Sequence, residues 1–232
     1  MPDFLDPAAL AVRRVAESLG DLRDDVVFLG GAVVPLLTTD PAAGGFRPTD
    51  DVDFVTEAIS RVEHGALEAG LRDRGFTHDT TPGAPICRWR LGDLIVDAMP
   101  QDSAVLGFGN PWYSAALTTS WRLTFPDGLT VRIVAAPVFF ATKWEAFNDR
   151  GKGCDFAGSH DLEDILTILD TRAELTGEIQ ASPTEVRMAV AQAAASLTAD
   201  ATFLNVLPGL VESGRDDVVL DRLQRIAALA EP

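Results

Sequence analysis

Lysine is nearly missing from this chain of 232 residues. Of its 19 basic residues only Lys143 and Lys152 are lysines, and both fall within one ten-residue stretch, with Arg150 between them. Against 35 acidic residues the basic set leaves a formal charge of −16, so the average surface repels phosphate and a protein that coats nucleic acid is excluded. A polyanion must be held locally, and the stretch from Lys143 to Lys152 reads either as a solvated basic turn or as such a local site. Cysteine is scarce too: Cys87 and Cys154 have no partner at CxxC spacing, which excludes a zinc knuckle and a disulfide framework, and both read as free thiols. No run approaches ~18 uncharged apolar residues. The opening Met1 to Leu10 carries Asp3 and Asp6 and no basic segment ahead of an apolar run, so the expected location is the cytoplasm, with no membrane partner.

What is present is ordinary globular usage, 47% hydrophobic and 23% charged, which excludes wholesale disorder and rod-like repeats. The periodicity predicts a helix capped by Asp6 and ended by Gly20, a buried strand Val26–Leu29 stopping at Gly30-Gly31, and a short helix from Ala32 to Leu37. A Gly/Pro/Ala loop over 41–48 leads to a second strand, 51–56, and a helix over 58–74. Strands follow over 76–79, 86–91 and 94–99, the last two joined by a hairpin at Gly92-Asp93. Another hairpin pairs 121–125 with 129–134. After Val134 the strands stop, and helices are expected over 137–150, 161–172, 183–199, 202–212 and 216–230. The chain therefore divides into an α/β region over 1–135, a mixed sheet flanked by helices, and a helical region over 136–232.

Strand alternation puts Asp51 and Asp53 on one face while Val52 and Phe54 point to the core. Carboxylates about 6–7 Å apart at Cα can share a pair of divalent ions. With 24 Asp in the chain, roughly two or three D-x-D triplets arise by chance, so the triplet alone carries nothing. The order of features is more informative: an apolar strand, Gly30-Gly31 opening a helix, a loop, then Arg47-x-Thr49-x-Asp51-x-Asp53 running into a second strand. Asp97 lies inside the apolar run 94–99, where an unpaired carboxylate is costly to bury, so it is either a structural hydrogen-bond acceptor or a third site residue.

This order resembles the nucleotidyltransferase superfold, the polymerase-beta-like group, in which a helix-opening Gly-Gly or Gly-Ser precedes D-x-D and a third Asp stands on a neighbouring strand. Within it, Arg47-x-Thr49-x-Asp51-x-Asp53-Phe54 resembles the R-x-T-x-D-x-D stretch of the AbiEii-type nucleotidyltransferases, a family of toxin-antitoxin toxins and relatives. The resemblance implies a nucleotidyltransferase fold and an enzyme that moves a nucleotide monophosphate from an NTP to an acceptor hydroxyl and releases pyrophosphate. It implies Asp51, Asp53 and Asp97 as catalytic ligands of two Mg²⁺ ions, with Mn²⁺ as a substitute. It also implies Gly30, Gly31, Arg47, Thr49, Lys143 and Asp161 at the nucleotide. The implied partners are an NTP, an acceptor that is RNA such as a tRNA 3′ end or a small molecule such as an aminoglycoside, and a cognate antitoxin. A non-catalytic module that retains the fold and binds a nucleotide or a partner is the other class of reading. Two departures stand out: 41–46 reads as an insertion between Gly31 and Asp51, and Gly158 and His160 replace the two basic residues of the family's R-x-K-D-x-x-D motif ahead of Asp161 and Asp164.

Other residues receive plainer readings. Asp161 and Asp164 at a helix start suit capping as well as chemistry. Asp50 is expected to cap or to bond Thr49 or Arg47. His64 and His78 are expected at the surface, and Trp112 and Tyr113 read as an aromatic anchor between loop and helix ahead of a role in stacking a base.

Overall fold

The computed structural model describes residues 2–40, 45–151 and 155–230. Lys152, Cys154 and most of the expected 41–46 insertion lie outside them. In chain order the elements are α1 (Pro7–Leu19), β1 (Val26–Leu29), α2 (Val34–Leu37), β2 (Asp51–Thr56), α3 (Arg61–Asp73), β3 (Thr77–His78), β4 (Arg88–Leu91), β5 (Leu94–Pro100), α4 (Tyr113–Thr119), β6 (Trp121–Thr124) and β7 (Thr130–Ile133). Six helices follow: α5 (Ala136–Gly151), α6 (His160–Thr171), α7 (Leu175–Ala181), α8 (Thr184–Ala199), α9 (Ala201–Val206) and α10 (Asp216–Ala227). The fold is α/β. Two compact units can be distinguished, one formed by Asp3–Leu36 with Arg47–Ala135, the other by Ala136–Pro232 with Leu37–Phe46.

The first unit is built on a mixed sheet in the order β3-β4-β5-β2-β1-β7-β6. β2 runs antiparallel to β1 and parallel to β5, and β1 runs parallel to β7. The apolar side chains of the central strands exclude water from the sheet: Val26, Val27 and Phe28 of β1, Val52 and Phe54 of β2, and Val96 and Ala98 of β5 are all buried. Phe28 and Phe54 face each other across β1 and β2 with their rings edge to face, 6.1 Å between centroids. α1 and α4 pack on these strands. α1 forms where the sequence predicts it, because the Asp6 carboxylate accepts the Ala8 N–H, Pro7 occupies the first turn, and Ala9, Val12, Val15, Ala16 and Leu19 make one buried stripe. The segment after Gly30 is shorter as a helix than its sequence suggests: a 3₁₀ turn over Gly31–Val33 and then a single α turn.

The second unit is a helical cluster around α8, whose buried Val186, Val190, Ala191, Ala193, Ala194 and Leu197 meet α5, α7, α9 and α10. Small alanines let these neighbours approach closely. The C-terminal carbonyls of α6 are satisfied by cations from α10 and its entry: Arg222 donates to the carbonyls of Leu169 and Asp170, and Arg215 to the carbonyl and carboxylate of Asp170. Thr39 and Asp40 are tied to this unit, their N–H groups both donating to the Thr171 carbonyl at the end of α6. Among the described residues no helix is long and apolar enough to cross a membrane.

Candidate functional site

Asp51 and Asp53 stand on the less buried face of β2, alternating with buried Val52 and Phe54 as the strand period requires. Because β2 pairs in parallel with β5, Asp53 is registered beside Asp97, and antiparallel pairing with β1 puts Leu29 beside Asp53 on the other side. One oxygen from each of Asp51, Asp53 and Asp97 lies within 4.8 Å of the other two, close enough to hold a metal ion. Asp97 is the buried member, and Asp51 and Asp53 are half-buried. The Thr49 hydroxyl donates to Asp51 Oδ1 at 3.1 Å. Asp50 is exposed, and the Thr49 hydroxyl turns to Asp51 on its other side.

Gly30 is tied to the same cluster. It has φ +75°, and a Cβ there would fall 1.9 Å from Asp53 Oδ2, so only glycine leaves room for this carboxylate. The close approach Gly30 permits in this structure is thus to Asp53. Gly31 opens the short 3₁₀ turn that follows. Arg47 is half-buried just ahead of β2, with Nη1 donating to the Pro48 carbonyl at 2.9 Å.

Arg88 on β4 is the residue the sequence reading passed over. It is registered opposite Asp97 and forks onto it, Nε donating to Oδ1 at 2.9 Å and Nη2 to Oδ2 at 2.7 Å. The same Nη2 lies 3.6 Å from Asp51 Oδ2. Hydrogen bonding to Asp97 raises the Arg88 pKa, burial opposing it, so the guanidinium is permanently charged. The signal was available: a tight hairpin that pairs Leu91 with Leu94 across Gly92-Asp93 also pairs residue 88 with residue 97. The neighbouring Cys87 thiol is buried, and burial, with the negative charges of Asp97 and Asp53, pushes its pKa up to about 12.

Lys143 and Asp161 meet in the helical unit. Ser159, not either aspartate, caps α6 by accepting the Leu162 N–H, and this leaves Asp161 and Asp164 pointing into the packing against α5. There the Lys143 ammonium lies 3.0 Å from Asp161 and 2.7 Å from Asp164, while Arg150 reaches Asp161 at 3.3 Å. Burial opposes the charge on Lys143, but Asp164 and Asp161 together outweigh it and hold its pKa above the usual lysine value. The cations that meet Asp161 and Asp164 are thus supplied by α5.

The expectation of surface histidines fails for His64, which is on the buried side of α3 with Nε2 3.6 Å from Glu68. His78 approaches the same Glu68 oxygen at 3.4 Å and stacks on Trp89. No family model matches the chain, and no curated protein matches it either.

Proposed function

We propose that this chain is a metal-dependent nucleotidyltransferase of the polymerase-beta-like superfold, similar to the AbiEii-type toxins. In this reading it moves a nucleotide monophosphate from an NTP to an acceptor hydroxyl and releases pyrophosphate. The observation that carries the reading is the convergence of Asp51, Asp53 and Asp97 from adjacent parallel strands, at the point where β1 runs into Gly30-Gly31. A donor set made only of carboxylate oxygens suits hard divalent ions such as Mg²⁺ and Mn²⁺. When bound, such ions neutralise triphosphate charge and make the acceptor hydroxyl more acidic.

The chain's own residues supply binding and orientation. Pairing of β2 with β5 fixes Asp53 beside Asp97, Thr49 restrains the Asp51 carboxylate, and the bare Cα of Gly30 leaves space for Asp53. Lys143 can neutralise phosphate only by leaving two buried carboxylates, so the reading rests on the aspartates and not on Lys143. An aminoglycoside-like polycation as acceptor suits a chain of charge −16, and a tRNA acceptor needs a local basic groove or a basic partner such as a cognate antitoxin.

The test is transfer of label from each α-labelled NTP, with Mg²⁺ or Mn²⁺, onto total tRNA in one arm and onto aminoglycosides in the other. Pyrophosphate release is followed in parallel. Transfer that disappears in Asp53→Asn is expected, and the arm that labels names the acceptor class. A complete lack of transfer together with a lack of Mn²⁺ binding overturns the proposal. The fork of Arg88 on Asp97 favours one other reading, a non-catalytic module in which these carboxylates form an internal ion pair; nucleotide binding without transfer is its signature.

A further inference from the structure

Arg88 reaches two of the three carboxylates from a third strand. Its Nη2 is hydrogen-bonded to Asp97 Oδ2 at 2.7 Å and stands 3.6 Å from Asp51 Oδ2, so a cationic nitrogen lies against oxygens of two of the three carboxylates that could hold a metal ion. Its Nε engages the other Asp97 oxygen at 2.9 Å, which leaves both oxygens of that carboxylate committed. The fork is partly open to water: the Arg88 side chain is 26% exposed and that of Asp97 11%. A guanidinium buried on all sides would be fixed in place, whereas this one has solvent into which it can swing.

We infer that Arg88 is a resident counter-cation of the three-aspartate cluster that is exchanged for the metal ion, so that loading of metal displaces its guanidinium from Asp97 and Asp51. The inference rests on the reading of Asp51, Asp53 and Asp97 as a metal site. Two physical terms drive the exchange to be costly for the metal. A fixed positive charge a few ångströms from the same oxygens repels a divalent ion, and the bidentate pair with Asp97 must be broken before its oxygens turn. Without metal the same charge relieves repulsion among three converging carboxylates. Arg88 is thus a positioning residue that lowers metal affinity while holding the empty cluster together.

Mn²⁺ alone, without nucleotide, is the probe, with free Mn²⁺ followed by electron paramagnetic resonance over a titration of the wild-type chain, Arg88→Met and Arg88→Lys. Arg88→Met is expected to bind Mn²⁺ at least about tenfold more tightly than wild type, with Arg88→Lys between them. In EDTA Arg88→Met is expected to melt below wild type, and the gap is expected to close as Mn²⁺ is added. Arg88→Gln, which keeps a hydrogen-bond donor without the charge, guards against misfolding and is expected to move affinity in the same direction. Equal or weaker Mn²⁺ binding by both uncharged variants, with clear binding by wild type, overturns the exchange and leaves the metal reading standing. No Mn²⁺ binding by wild type or by any variant overturns the metal reading, and the exchange with it.

Discussion

The molecule holds aspartates against basic side chains in two places and treats them differently. In the helical unit Asp161 and Asp164 are 5% and 4% exposed, and Lys143 and Arg150 answer them charge for charge. In the sheet Arg88 reaches two of three clustered carboxylates, Asp97 and Asp51, and Asp51 remains 34% exposed. A buried charge survives only when it is matched by its neighbours, and in the helical cluster Lys143 and Arg150 supply that match. The sheet cluster lies where water can reach it, and this is the arrangement that a cation from solution can enter.

Breaking the helical cluster is expected to produce the largest effect. Lys143→Met leaves two buried carboxylates facing each other and should cost about 3–5 kcal/mol in urea unfolding. A loss below 1 kcal/mol would show that the cluster is wetter than its burial indicates. Gly30→Ala comes next, since its backbone strain alone is worth about 1–3 kcal/mol and the new methyl collides with Asp53. Mn²⁺ affinity should fall in parallel, and an unchanged affinity would separate Gly30 from the site. Asp53→Asn then sharpens the contrast, because removing one of three converging charges should match or exceed wild-type stability in EDTA. Mg²⁺ at ten to a hundred times its Kd should stabilise wild type by roughly 1.4–2.7 kcal/mol and the variant by much less, read by thermal melting. A variant that melts well below wild type in EDTA would make Asp53 a structural acceptor.

The smallest effect concerns His64. Burial lowers its pKa, the nearby His78 adds to that, and Glu68 opposes it; Arg72 also faces Glu68. Its folded-state pKa is below the unfolded value, so the neutral imidazole contributes stability above about pH 6.5 that is lost as pH falls below that value. Urea midpoints between pH 7 and pH 5.5 should therefore decline more steeply for wild type than for His64→Gln, and parallel curves would refute the assignment.

Much of the sheet could be read from residues in a row. The alternation in 51–56 gives both the strand and the face of its aspartates, and the Gly92-Asp93 turn gives the β4–β5 hairpin, because these signals are local. Arg88 was legible only by carrying that turn three pairs further and asking what faces Asp97. Lys143 and Asp161 each stand out in the sequence, but their meeting depends on how α5 packs on α6, which no local pattern states. His64 sits on a helix whose exposed Arg61, Val62 and Glu63 suggest a solvated start, and only the third dimension reveals the buried side. α7 escaped because its seven residues include Gly177 and show too few turns for a period to emerge.

The position of Cys87 has a practical consequence. With its pKa near 12, only ~10⁻⁴ of the thiol is thiolate at pH 8, so an alkylating reagent finds almost no nucleophile while β4 stays in place. Modification at this sulfur therefore acts as a clock for the opening of the strand start that carries Arg88. A cation held by Asp97 and Asp53 also offsets the charges that help keep the thiol protonated, so amide exchange over 87–91 is the companion reading: unchanged exchange on adding Mn²⁺ means that the guanidinium leaves Asp97 without disturbing the backbone, and faster exchange means that the strand itself parts when the cation enters.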